Sequence, residues 1–186
     1  MIDYGEGTVT YAIVPFESET LTGYELLRES GLSLVSIPFG GLGQGICSIE
    51  EVGCSVGSCR RLCQSSDPNS PFWQYFSLED DGTWQSRPRG ASGTSVEPGT
   101  IHGWAWTGTE PALPSVTFEE ISRLAGSGNG SGAARHLTYD AAGVVSQKDV
   151  DRPQFITYVI AGAIVLVLLA GIFVAQRRRA MQEPMP

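Results

Sequence analysis

Four cysteines fall within 17 residues, at Cys47, Cys54, Cys59 and Cys63, and the chain has no others. Thiols this close support two chemistries. In an oxidising compartment they pair into two disulfides that staple a small domain. In a reducing one, four thiolates hold a zinc ion, usually as two separate close pairs with two to four intervening residues each. The gaps here are six, four and three intervening residues, and the two short gaps share Cys59. Two disulfides are the expectation and a zinc site is the alternative. The pairing is not readable from spacing.

Aromatic side chains form the second group. In a strand, alternate residues face the same way. Over 72–78 that puts Trp73 and Tyr75 on one side and Phe72, Phe76 and Leu78 on the other. Over 101–107, His102, Trp104 and Trp106 share a face, opposite Ile101, Gly103 and Ala105. If the two aromatic faces adjoin, Trp73, Tyr75, His102, Trp104 and Trp106 form a hydrophobic platform for a ring-shaped ligand or a partner. The plainer expectation for aromatics in a small β domain is core. Small residues behind the tryptophans predict close packing by another element. No G-x-S-x-G, HExxH or P-loop pattern occurs, and the single lysine, Lys148, argues against lysine-based catalysis. The expectation is a protein that is not an enzyme and needs no certain cofactor.

The elements that position these residues follow from pattern. Residues 8–16 (TVTYAIVPF) read as a strand. Thr22 with Glu25 is a capping-box pair, and Gly31 stops the helix it opens. Strands follow at 32–37, 46–49, 72–78, 83–86 and 101–107, with Asp80-Asp81-Gly82 as a hairpin turn. The fold expected is α+β, a small β-grasp-like domain of mixed sheet plus one short helix. It occupies residues 1–107. Residues 108–152, rich in Gly, Ser, Ala and Thr, read as a flexible linker with a short helix near 118–124.

Residues 155–175 carry no charge and Arg177, Arg178 and Arg179 follow at once. A helix of that length is about 31 Å long, enough for a bilayer core. The expectation is one transmembrane helix at 153–176 and a cytoplasmic tail at 177–186, with the N-terminal domain extracytoplasmic. The lipid bilayer is then a partner. The first seven residues lack a basic and an apolar stretch, so either a leader is missing from the start or the domain is cytoplasmic on a tail anchor. The arginines and cysteines favour the first. Residues 1–154 carry 9 Lys and Arg against 19 Asp and Glu, within a net charge of −8 for the chain. An acidic domain excludes nucleic acid as a partner, since phosphate contacts need basic clusters.

Five motifs, in order, carry a family resemblance: LTGYELLRESGL at 21–32, ICSIEEVGC at 46–54, FWQYFSLEDDGTW at 72–84, RGAS at 89–92 and VEPGTIHGWAW at 96–106. Together they resemble the transcobalamin-like C-terminal domain family, domains similar to the C-terminal β domain of transcobalamin and intrinsic factor. The resemblance covers residues 8–107. It implies a β-grasp-like fold and binding of a corrinoid or another small molecule. Membrane-anchored bacterial members that look like this chain are associated with energy-coupling-factor type uptake systems, which implies a membrane transporter complex as partner. The chain departs from the family pattern with Asp80-Asp81-Gly82 in place of Asn-Gly and with an apparent insertion at 57–70. A protein-protein interaction or structural role, with the aromatic face docking another membrane protein, is the alternative function.

Overall fold

The computed structural model describes residues 1–16, 20–63, 67, 69–124, 134–140, 142–143 and 145–149. The elements are β1 (Ile2–Asp3), β2 (Val9–Ile13), β3 (Leu21–Thr22), α1 (Gly23–Glu29), β4 (Leu34–Pro38), β5 (Gln44–Ile49), β6 (Val52–Gly53), α2 (Cys59–Leu62), β7 (Phe72–Leu78), β8 (Trp84–Ser86), β9 (Ser95–Val96), β10 (His102–Thr107), α3 (Phe118–Leu124), β11 (Arg135–Tyr139) and β12 (Val145–Asp149). Seven strands form one sheet in the order β12-β11-β2-β1-β10-β7-β8, parallel only between β1 and β10. A three-stranded sheet, β4-β5-β6, and the pair β3-β9 complete the fold.

Local chemistry explains the elements that position the aromatic strands. Thr22 caps α1, accepting the Glu25 N–H at 3.2 Å, while the Glu25 carboxylate accepts the Thr22 N–H at 2.8 Å. Both orphan donors of the first turn are satisfied. Gly31, at φ 75°, takes the chain away from the helix. The β5–β6 hairpin closes through only two residues, Glu50 and Glu51, at φ 48° and 69°. Such a turn normally uses Asn-Gly. Here the Glu50 carboxylate compensates by accepting the Ser33 N–H at 2.5 Å, and the Glu50 N–H donates to the Ser33 carbonyl.

The large sheet buries both faces. On one, Ile2, Trp73, Tyr75 and Trp104 pack under α1 and the three-stranded sheet, against Leu27, Leu32, Ile46 and Ile49. On the other, Tyr11, Ile101 and Leu137 pack with Ile121 of α3 and with Leu113 and Val116. Gly103 and Ala105 do admit close packing from behind, as their size predicts. A Cβ added at Gly103 would lie 2.9 Å from the Trp84 ring, which donates its indole N–H to the Pro114 carbonyl.

Three parts of the expected fold class are corrected. The sheet is not a small β-grasp-like one with a single helix. It has seven strands because residues 135–149 add β11 and β12 beyond β2. The supposed linker at 108–152 therefore contains α3, β11 and β12 and supplies core. The physical reason is alternation: Leu137, 1 % exposed, joins Tyr11 on one face of the sheet, and Tyr139 packs against their cluster. Finally, among the described residues no helix is long and apolar enough to cross a membrane. The transmembrane helix expected at 153–176, with its tail at 177–186, has no support there and lies outside those residues.

The cysteines form two disulfides, Cys47–Cys59 and Cys54–Cys63, with Cα separations of 5.4 and 6.1 Å. Cys47, Cys59 and Cys63 are buried beside Ile37, with Trp106 packed on the same cluster. Closing loops of this length restricts the unfolded chain by about 3 kcal/mol per bond. The loops interlock, so the two effects do not add fully. Replacing Cys47 and Cys59 by serine is expected to lower the urea-unfolding free energy by about 3 kcal/mol. A loss below about 1 kcal/mol would mean that the hairpin holds its place without the bond.

Candidate functional site

The expected aromatic faces do adjoin. In the β10–β7 register Trp104 lies opposite Tyr75, Trp106 opposite Trp73 and His102 opposite Ser77. The Tyr75 ring stacks on His102, with centroids 5.8 Å apart and planes 11° apart, and leans on Trp104 at 5.0 Å. Trp73 and Trp106 touch at 5.6 Å, and Tyr4 meets Trp73 edge-on. The row is not an open platform. Trp73, Tyr75, His102 and Trp104 are 5, 7, 5 and 2 % exposed, and only Trp106 is half-buried. The covering elements are α1 and β4-β5-β6, whose apolar side chains have no other face to bury against.

Hydrogen bonds settle what His102 can do. Thr100 donates its hydroxyl proton to the Glu97 carbonyl at 2.7 Å, so toward His102 it accepts, taking Nε2–H at 3.2 Å. The other nitrogen, Nδ1, then accepts from the Tyr75 hydroxyl at 2.7 Å. The imidazole is neutral and both nitrogens are engaged, which leaves none to act as a base. Burial lowers its pKa from 6.5 to about 4, with the Met1 amine and the Arg87 guanidinium adding like-charge repulsion. Burial also raises the Tyr75 pKa. Because the unfolded state binds a proton on His102 that the folded state refuses, stability is full above about pH 6.5 and falls toward pH 4, by up to about 3 kcal/mol. A His102→Gln variant is expected to show a flatter acid limb than the parent in urea titrations from pH 7 to 4. Carboxylates titrate in both proteins, so the difference isolates His102; identical limbs would refute the assignment.

One flank of the row stays accessible. Trp73, Tyr75 and Trp104 line a cavity of about 340 Å3, together with Phe72, Gln44 and Arg87. The first residues of β5 and the loop after β8 wall it. That loop is fixed by Ser92, whose hydroxyl accepts the Gln44 N–H at 3.0 Å, and by the Arg87 N–H donated to the Tyr75 carbonyl at 3.2 Å. The Arg87 guanidinium is held by the Glu79 carboxylate and by the Ser77 hydroxyl at 2.6 Å. Its charge is therefore largely neutralised within the protein.

The tryptophans differ in one respect. Trp73 donates its indole N–H to the Val52 carbonyl at 3.1 Å, and Trp84 is satisfied by Pro114. The Trp104 Nε1–H is the one buried side-chain polar atom without a hydrogen-bond partner among the described residues. Such orphans are rare in folded proteins. Sequence reading named Trp104 but missed Gln44, Phe72 and Arg87 as its neighbours. The cavity brings together segments far apart in the chain, and only the RGAS stretch at 89–92 hinted that this loop mattered. No family model, no curated protein and no solved structure matches the chain.

Proposed function

We propose that this chain is an extracytoplasmic, non-catalytic binding module that takes a small molecule with a flat ring and a carbonyl or amide acceptor. The unpartnered indole N–H of Trp104, on a residue that lines the aromatic cavity, carries the reading. Trp73 and Tyr75 offer the ligand apolar contact, and an acceptor that reached the shielded Trp104 N–H after a small shift of the cavity wall would recover a buried hydrogen bond. Two disulfides support an oxidising compartment. The resemblance to transcobalamin-like domains supports a corrinoid, whose rim carries amide arms. A volume of about 340 Å3 admits one arm and the adjoining ring edge, so a second protein, such as an uptake transporter, would have to cover the rest. Docking of a protein on the aromatic face itself is disfavoured by the burial of Trp73, Tyr75 and Trp104.

The test is calorimetric titration of cyanocobinamide and of nicotinamide into the parent and into Trp104→Phe. Phenylalanine keeps an aromatic ring in the core, removes the donor and gives up part of the indole's apolar area. Saturable binding of one probe, weakened about tenfold in the variant, is expected. Absence of saturation with both probes, or equal binding by the variant, defeats the proposal.

A further inference from the structure

Three of the six exposed large apolar side chains among the described residues belong to two neighbouring turns: Leu42, 77 % exposed, and Val56 and Leu62, 63 and 49 % exposed. Leu42 ends the turn 40–42 between β4 and β5, while Val56 and Leu62 lie on the cysteine loop. Arg60 joins the two turns. Its guanidinium donates to the Pro38 carbonyl at 2.7 Å and lies 5.2 Å from the centre of the Phe39 ring. Each apolar side chain of the loop sits between bridged cysteines, Val56 between Cys54 and Cys59 and Leu62 between Cys59 and Cys63. A Cβ added at Gly40, Gly41 or Gly57 would meet nothing within 4 Å, so both turns stand out from the domain.

The projection carries a charge opposite to that of the molecule. The net charge of the chain is −8, yet residues 30–66 hold only two of its 20 acidic side chains, Glu50 and Glu51. Those two form the turn at the far end of β5 from Leu42, and Glu50 is engaged with Ser33. Among the described residues Arg60 and Arg61 make no ion pair. Two cations thus stand beside three exposed aliphatic side chains. Protein-binding hot spots favour Trp, Tyr and Arg over Leu and Val, and they gather in packed pockets. Aliphatic tips flanked by arginine on a projecting turn suit an anionic bilayer instead, where apolar groups enter the acyl boundary and guanidinium groups meet phosphates. The acidic remainder of the domain is repelled by such a surface, which turns this patch toward it. Screening over about 10 Å keeps that repulsion weak for groups farther away.

We infer that Leu42, Val56 and Leu62, with Arg60 and Arg61, seat the domain on an anionic phospholipid surface. The three apolar side chains enter the headgroup layer, and the two arginines donate to lipid phosphates. The patch shares no residue with the lining of the aromatic cavity and draws nothing from residues 153–176, so it stands or falls by itself.

Hydrogen–deuterium exchange of the full chain, read by mass spectrometry, is the test, on vesicles of phosphatidylcholine alone and with about one third phosphatidylglycerol. With phosphatidylglycerol, exchange at residues 39–43 and 54–62 is expected to slow at least about threefold and to recover when salt is raised to about 0.5 M. Phosphatidylcholine alone should leave it unchanged. The readout is local to the two turns, so any contact of residues 155–175 with the vesicles does not enter it. Arg60→Gln/Arg61→Gln keeps a donor for the Pro38 carbonyl and should abolish the slowing, with both disulfides confirmed by mass. Val56→Ser/Leu62→Ser changes only exposed side chains and should abolish it too; if the arginine pair loses a bridge, the serine pair decides alone. Unchanged slowing in a variant with both bridges, equal slowing on the two kinds of vesicle, or none on either would overturn the inference. So would slowing that needs no lipid and grows with protein concentration, which would make a second copy of the chain the occupant.

Discussion

A chain cut after Gly108 is expected to lose its cooperative melting transition. The cut removes Leu113, Val116, Ile121, Leu137 and Tyr139, which bury one whole face of the large sheet against Tyr11 and Ile101. It also removes the Pro114 carbonyl that satisfies Trp84 and the His136 ring bonded to Ser30. Ile121 and Leu137, 6 and 1 % exposed, contribute about 1.5–3 kcal/mol each by burial alone. The other lost contacts and the newly exposed edge of β2 add to that. A domain of this size has about 5–15 kcal/mol in total. Near-ultraviolet circular dichroism during heating measures the outcome for chains ending at Gly108 and at Val150. The longer chain should melt sharply and the shorter should not. A melting temperature for the shorter chain within a few degrees of the longer one would restore residues 108–149 to the role of a linker.

That expectation reverses the reading of residues 108–152 from composition, and the reason is instructive. Small residues, Gly, Ser, Ala and Thr, are abundant in the stretch, and averaging over it hides the five-residue alternation of Arg135–Tyr139, in which Leu137 and Tyr139 face one side and His136 and Thr138 the other. A five-residue strand has too few residues for periodicity to outweigh its neighbours. Longer or chemically marked elements were legible. The apolar, aromatic run at 72–78 is β7, the Thr22–Glu25 pair caps α1, and the clustered cysteines pair as two disulfides. The two-glutamate hairpin was not legible, because turn chemistry predicts glycine or asparagine and the Ser33–Glu50 hydrogen bonds that replace them are tertiary. The candidate sites divide the same way. Alternation told which aromatic residues share a face, but alternation is silent on what covers a face. His136 lacked any local signal, since its partner, Ser30, is 106 residues away.

Trp104→Ala is expected to cost about 3–5 kcal/mol of stability, the usual range for emptying a large aromatic site in a packed core. Trp104 is 2 % exposed and contacts Tyr75, and its strand sits between β1 and β7 at the centre of the sheet. Losing it opens a cavity beside Ile2, Leu27 and Ile46, which are held by α1 and β5 and cannot collapse freely. Trp104→Phe should behave differently. It forfeits part of the apolar contact, but it also removes a buried donor whose desolvation costs about 1–3 kcal/mol while it stays unpaired. The two effects oppose each other, so the net change without ligand should lie within about 1 kcal/mol of zero. Urea unfolding of both variants beside the parent measures the pair. An alanine variant as stable as the parent would mean the aromatic row is a free surface after all. A phenylalanine variant as damaged as the alanine one would mean the indole N–H is already satisfied in the folded protein, and the cavity beside it would lose its claim to a ligand.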